Sequence, residues 1–277
     1  MNKVAKRLLT FFIGLPIIIA IVFCDYLYHL PLQILIGIFA VLGANEFIKM
    51  ASTKTKLFPN ELLLVSTALL PLFCYTFILF GLSLDITPWL FIAISIILLG
   101  IECFSAKEFE HSLSKIAYSF LIIFYCGFLM TFISRMTILP DSKFVICLFL
   151  IFVFMCDSAA WFFGILFGKS TRGFVAASPN KSLVGFLGGI ASSVASGCLF
   201  KFIFSDIFTI SYPRVIILGI ITSIAAIIGD LIESVFKRSC NVKDSGTLIP
   251  GRGGVLDSID SLLIAGPIFY IGYNFLF

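Results

Sequence analysis

Residues 214–236 read RVIILGIITSIAAIIGDLIESVF. A helix needs about 20 mostly apolar residues to cross a bilayer, with a range of roughly 17–25. The run fits, but it holds Asp230 and Glu233 near one end. The next residues, 237–261, read KRSCNVKDSGTLIPGRGGVLDSIDS and are dense in polar residues and glycine. A membrane span followed by a dense polar loop is therefore the unit to be explained.

The rest of the chain extends the same pattern. Of 277 residues, 60% are hydrophobic and only 12% are charged. Soluble domains carry about 25% charged residues. A polytopic membrane protein is the expected class, all-α because helices satisfy their own backbone in lipid. Cutting at charges and turn residues predicts about nine transmembrane helices, at 8–23, 30–49, 62–82, 88–104, 116–138, 144–167, 183–204, 214–236 and 260–276. The first resembles a signal peptide with a basic head. It lacks a small-residue cleavage site and is read as a retained span.

Lys and Arg gather in cytoplasmic loops. With the N-terminus inside, the outer segments hold Arg135, Lys143, Lys201 and Arg214, which leaves 15 of the 19 basic residues inside. Lys3, Lys6 and Arg7 contribute to that bias. The polar stretch 237–261 becomes the last cytoplasmic loop. The chain divides into N-terminal helices, 1–140, and a C-terminal catalytic region, 141–277. The eight Cys are scattered without a CxxC pair and read as small apolar residues. His29 and His111 have no partner cluster, so no zinc site is expected. The net charge of +4 is small, and no nucleic-acid partner is expected.

A charge at the bilayer centre costs at least about 2.5–3.5 kcal/mol on insertion scales, which makes such residues functional candidates. Asp157, Asp230 and Glu233 fall in or at the inner ends of apolar runs. Glu46, near the inner end of the second span, is read as an interfacial polar residue. Asp230, Ser234 and Lys237 share one helix face at i, i+4 and i+7. They offer a carboxylate, a hydroxyl and an ammonium. In the loop that follows, four Gly, two basic groups and three Asp suit a metal-bound polyphosphate, because Gly lets a phosphate approach and Mg²⁺ wants carboxylate oxygens.

Gly185, Gly189, Ser193 and Gly197 are read as a helix-packing seam. Ser178 or Ser182 is expected to cap the helix after SPNKS, and Lys181 at that helix N-terminus makes an anion site.

These residues carry a resemblance. CDSAAWFFGILFGK (156–169), SPNKSLVGFLGG (178–189) and GDLIESVFKRSCNVKDSGTLIPGRGGVLDSIDS (229–261) are similar to the signature blocks of phosphatidate cytidylyltransferases, also called CDP-diglyceride synthases. The resemblance covers roughly residues 155–262, and the N-terminal half matches only in hydropathy and touches such as NEFIKM. It implies a dimerising bundle of membrane helices that condenses CTP with phosphatidic acid to CDP-diacylglycerol and pyrophosphate, with Mg²⁺. A bacterial cytoplasmic membrane is the expected location, since the chain is compact and carries no added targeting tail. Carried over, Asp230 and Asp257 would hold the metal; Asp157 is a candidate for holding a second cation or for orienting a Lys. Lys237, Arg238, Lys243 and Asp244 would shape the nucleotide site, with Ser234, Arg252, Gly253 and Gly254 beside them. Ser178 and Lys181 would lie near the phosphates. Three positions depart from the family pattern: Arg252 stands where His is usual, Ser258 where Arg is, and Val184 where Glu often is. Two other readings stay open: a CTP-dependent lipid-alcohol kinase, which would release CDP, and a cation-coupled transporter.

Overall fold

A computed structural model describes residues 3–208 and 210–277, with side chains from Phe12 onward. Lys3, Lys6 and Arg7 lie outside the described side chains. The chain is an all-α polytopic membrane protein. Its helices are α1 (Lys3–Phe23), α2 (Tyr26–Ala51), α3 (Asn60–Leu79), α4 (Ile86–Ser105), α5 (Ser112–Ile122), a π-helical turn (Ile123–Phe128), α6 (Thr131–Met136), α7 (Ser142–Leu166), α8 (Leu183–Ile203), α9 (Tyr212–Ser239) and α10 (Leu256–Leu276). Among the described residues eight helices are long and apolar enough to cross a membrane, with α5 to α6 acting as one span, and Phe12–Phe23 is a shorter apolar helix.

Two helix ends differ from the sequence expectation. α9 runs to Ser239 and so carries Lys237 and Arg238 on its last turn. α10 starts at Leu256 rather than 260, which puts Asp257 in its first turn instead of in a loop. The reason lies in its N-terminal backbone, whose donors find a remote acceptor described below.

The chain forms two compact units, Met1–Ile138 with Ser239–Ile259, and Leu139–Arg238 with Asp260–Phe277. In lipid, helices associate through close packing and hydrogen bonds rather than hydrophobic burial. In the first unit α2 and α3 pack on one another and on the π-helical turn. Gly127 in that turn permits the approach: a Cβ there would lie 2.9 Å from the Thr67 carbonyl oxygen. Gly43 of α2 faces the opening turn of α10, with Ile259 Cδ1 at 3.4 Å and Leu256 Cδ1 at 3.6 Å from its would-be Cβ. Glu46 lies one helical turn further along that same face. The buried carboxylate of Glu102 accepts hydrogen bonds from Lys115 Nζ and Ser112 Oγ, both at 2.6 Å, which compensates its charge.

In the second unit α8 lies along α7. Gly185 and Gly189 sit against the carbonyls of Ala160 and Cys156, where a Cβ would come within 2.7 and 2.8 Å. Gly197 accommodates the Phe152 ring. The Gly185–Gly189–Ser193–Gly197 stripe is thus a packing seam. Hydrogen bonds reinforce it: Ser193 Oγ donates to the Phe152 carbonyl, and Ser223 Oγ of α9 donates to Ser193 Oγ, both at 2.8 Å. Such bonds in membranes average about 0.6 kcal/mol each. Gly229 of α9 lies against the backbone of Asp260 and Ser261, which draws α9 and α10 together beside Asp230.

Candidate active site

The second unit holds a cavity of about 330 Å³, whose lining includes Asp157 and Trp161 of α7, Arg172, Lys181 and Ser182 of the loop before α8, and Asp230 of α9. Each reaches it for a local reason. Asp157 and Trp161 are one turn apart on α7. Ser178 opens a turn closed by the Lys181 N–H on the Ser178 carbonyl at 3.1 Å, with Pro179 at the second position that favours proline. That turn delivers Lys181. Ser182, rather than Ser178, caps α8: its Oγ accepts the Gly185 N–H at 3.1 Å. Gly168 leaves the space Ser182 Oγ occupies.

Lys181 and Asp230 form an ion pair inside this cavity. Asp157 Oδ1 accepts a hydrogen bond from Ser261 Oγ at 3.3 Å. Arg172 Nη2 donates to the Gly164 carbonyl at 3.0 Å, which ties the loop to α7. Arg238 Nε donates to the Ala177 carbonyl at 3.3 Å, so it tethers the same loop one residue before Ser178. Lys237 pairs with the fully buried Glu233 at i, i+4. Ser234 is buried on the same helix face.

The loop of the first unit is built around a tight turn. The Arg252 N–H donates to the Ile249 carbonyl at 3.1 Å, and Gly251 takes φ +82° after Pro250. Pro then Gly, with positive φ at the Gly, is the pattern of a type II turn. Lys243, Asp244 and Arg252 are exposed on this loop. Gly253 has φ +120°, and a Cβ there would collide with Asp257 Oδ2, so the site requires Gly twice over. Asp257 Oδ2 accepts from Ser245 N at 2.8 Å, Ser245 Oγ at 2.9 Å and Gly254 N at 2.7 Å. Ser258 Oγ donates to the Gly254 carbonyl at 3.2 Å, which holds it within its own helix turn.

The residue that sequence reasoning undervalued is Glu46. It is 8% exposed, so its carboxylate is enclosed by the protein rather than facing out. Its carboxylate accepts from Val255 N, Leu256 N and Ser245 Oγ, each at 2.9 Å. These bonds satisfy the opening N–H groups of α10, where a negative charge is also favoured by the helix dipole. They start that helix early. The sequence signals were a carboxylate at the end of an apolar run and its place in NEFIKM, one of the small matches of the N-terminal half.

Among the described residues no three His, Cys, Asp or Glu side chains converge as a metal cluster. Mg²⁺ does not need one, since it is commonly held by one or two carboxylates together with substrate phosphates. Asp157 and Asp230 lining one cavity are a donor set of that kind, hard oxygen with no competing thiolate.

The sequence profile of the Cytidylyltransferase family matches residues 5–276. The chain is similar to a protein named phosphatidate cytidylyltransferase from Staphylococcus saprophyticus, 37% identical over 180 residues, 65% of this chain and 66% of the relative. A protein of that name from Haemophilus influenzae is 39% identical over 163 residues, 57% of this chain and 56% of the relative. One from Thermotoga maritima is 35% identical over 163 residues, 58% of this chain and 59% of the relative. Each alignment thus spans somewhat less than two thirds of the relative's length.

Proposed function

The chain belongs to the cytidylyltransferase family, and from that premise we propose that it condenses CTP with phosphatidic acid to give CDP-diacylglycerol and pyrophosphate. The observation that carries this reading is the cavity of the second unit, where Lys181, Arg172, Asp157 and Asp230 line one space. Cations suit phosphates, and carboxylates suit the hard cation that accompanies a nucleotide triphosphate.

The proposed reaction is an in-line displacement. A phosphate oxygen of phosphatidate forms a bond to the α-phosphorus of CTP. The bond from that phosphorus to the oxygen bridging to the β-phosphate breaks, and pyrophosphate leaves. The attacking phosphate is already an anion near neutral pH, so the protein's task is positioning and charge neutralisation rather than proton removal. Lys181 meets phosphate. Arg238 holds the loop that presents Lys181. The resemblance adds Lys237, Lys243 and Arg252 as sources of positive charge for the nucleotide, and Ser178, Ser234, Asp244, Gly253 and Gly254 as further nucleotide-binding residues. Arg252 is never deprotonated in proteins, so it acts as a charge and not as a proton carrier. Asp157 and Asp230 of the cavity are the proposed metal carboxylates, and the resemblance adds Asp257 of the first unit's loop as a further one. Mg²⁺ bound there would neutralise charge on the phosphates and the leaving pyrophosphate. The bonds to Asp257 Oδ2 would set that carboxylate's orientation, as ligating carboxylates are themselves hydrogen-bonded.

The chain is an integral membrane protein. A cytoplasmic N-terminus, an active site facing the cytoplasm, residence in a bacterial inner membrane and a homodimeric state belong to the same proposal.

The test is direct. Purified protein in detergent with CTP, phosphatidate and Mg²⁺ is expected to release pyrophosphate, and chelator is expected to stop it. Release of CDP from a lipid alcohol instead would replace this reading with a lipid kinase. A second expectation concerns Lys181. Lys181→Met removes one of the cavity's two lining cations, and KM for CTP is expected to rise about tenfold or more, the equivalent of roughly 1.4 kcal/mol. An unchanged KM would take Lys181 away from the phosphates.

A further inference from the structure

Glu46, in NEFIKM, lies far in the chain from the three signature blocks, yet it holds together the loop that carries Asp257. Its carboxylate lies in a slot between two glycines. A Cβ on Gly246 would overlap Glu46 Oε1, and a Cβ on Gly254 would overlap Glu46 Oε2. Inside the slot, Oε1 takes the Val255 N–H, while Oε2 takes the Leu256 N–H and the Ser245 hydroxyl. The donors come from the loop and from the first residue of α10, and all three contacts are buried.

Ser245 links this group to Asp257. Its Oγ lies 2.9 Å from Glu46 Oε2 and 2.9 Å from Asp257 Oδ2. A serine hydroxyl has a single proton. It therefore serves one carboxylate at a time, and the other must rely on its backbone donors. Asp257 has two of these, from Ser245 N and Gly254 N, and so does Glu46, from Val255 N and Leu256 N. The two carboxylates share one hydroxyl proton and are braced by neighbouring segments of the same loop.

We propose that Glu46 is a positioning residue for Asp257, acting through Ser245 and the opening turn of α10. It orients Asp257 from behind and accepts the Ser245 hydroxyl hydrogen bond whenever Asp257 is engaged by a positive partner. The proposal rests on the nucleotidyl-transfer reading for its kinetic consequence, but not for its structural one.

Glu46→Gln keeps the shape and removes the symmetry of the acceptor. A Gln amide accepts on one edge and donates on the other, so either the Val255 N–H or the Leu256 N–H with Ser245 faces another donor. The full-length protein in detergent is compared by hydrogen–deuterium exchange and by pyrophosphate release. The expected result is about tenfold faster exchange confined to peptides covering residues 245–257. With it, kcat falls about 10–100-fold, as losses of groups supporting a ligand do. KM for CTP stays within about twofold, and the Mg²⁺ concentration for half-maximal rate rises. Ser245→Ala, which removes only the shared hydroxyl, is expected to shift the Mg²⁺ dependence in the same direction with less effect on exchange. A purely structural role would lower the active fraction and leave the Mg²⁺ dependence unmoved, and that result overturns the proposal. So does wild-type exchange at 245–257 in Glu46→Gln. If the wild-type protein itself releases no pyrophosphate, the nucleotidyl-transfer reading falls, and the exchange experiment still decides whether Glu46 braces the loop.

Discussion

Asp257→Asn is expected to lower pyrophosphate release by about 100-fold or more while the protein stays folded. The structure makes this a clean substitution. Asp257 Oδ2 accepts three hydrogen bonds, from Ser245 N, Ser245 Oγ and Gly254 N. An Asn can turn its amide oxygen to the same three donors and keep the loop's arrangement. What it loses is the negative charge, and hydrogen bonds to a neutral acceptor are about half as strong. Loss of turnover with an unchanged melting transition in detergent therefore reports the charge. Near wild-type turnover would remove Asp257 from the proposed metal carboxylates.

The second large effect is steric. In Gly254→Ala the new Cβ would overlap Glu46 Oε2 and Ser245 Oγ and would lie 2.6 Å from Glu46 Cδ. The Glu46 carboxylate would have to leave its slot and forfeit the Val255, Leu256 and Ser245 donors. Overpacking costs about 1–3 kcal/mol, and orphaned buried polar groups cost about 1–3 kcal/mol more. The expected outcome is a clear drop in the melting transition together with loss of turnover. Gly37→Ala on α2 is the matching control, because nothing lies within 4 Å of a Cβ there. A Gly254→Ala protein that melts like Gly37→Ala would mean that the slot yields.

Much of this architecture could be read along the chain. Spans announce themselves because a lipid-crossing helix must be apolar for its whole length, a property local in sequence. The Gly185–Gly189–Ser193–Gly197 seam was legible because the i, i+4 repeat puts small residues on one face. A cap at the start of α8 was legible too, but Ser178 and Ser182 both offered it, and the fold chose Ser182. The cavity's Asp157, Lys181 and Asp230 were each visible as polar groups at or near apolar helices. Their local sequence, however, did not reveal that Lys181 pairs with Asp230.

Glu46 shows what was not legible. Alone it is one carboxylate near the end of α2, and an interfacial place was the natural reading. Its partners lie 199, 209 and 210 residues further along the chain, at Ser245, Val255 and Leu256. The same contact accounts for the early start of α10, since a remote acceptor replaces the local cap that sequence rules look for.

The sequence by itself determined a many-helix membrane protein with a polar, glycine-rich loop after its eighth apolar run, because hydropathy and backbone satisfaction act locally. Only the tertiary structure decided which carboxylates line a cavity, which one braces a loop and where α10 begins. Those outcomes depend on hydrogen bonds and close approaches between residues far apart in the chain.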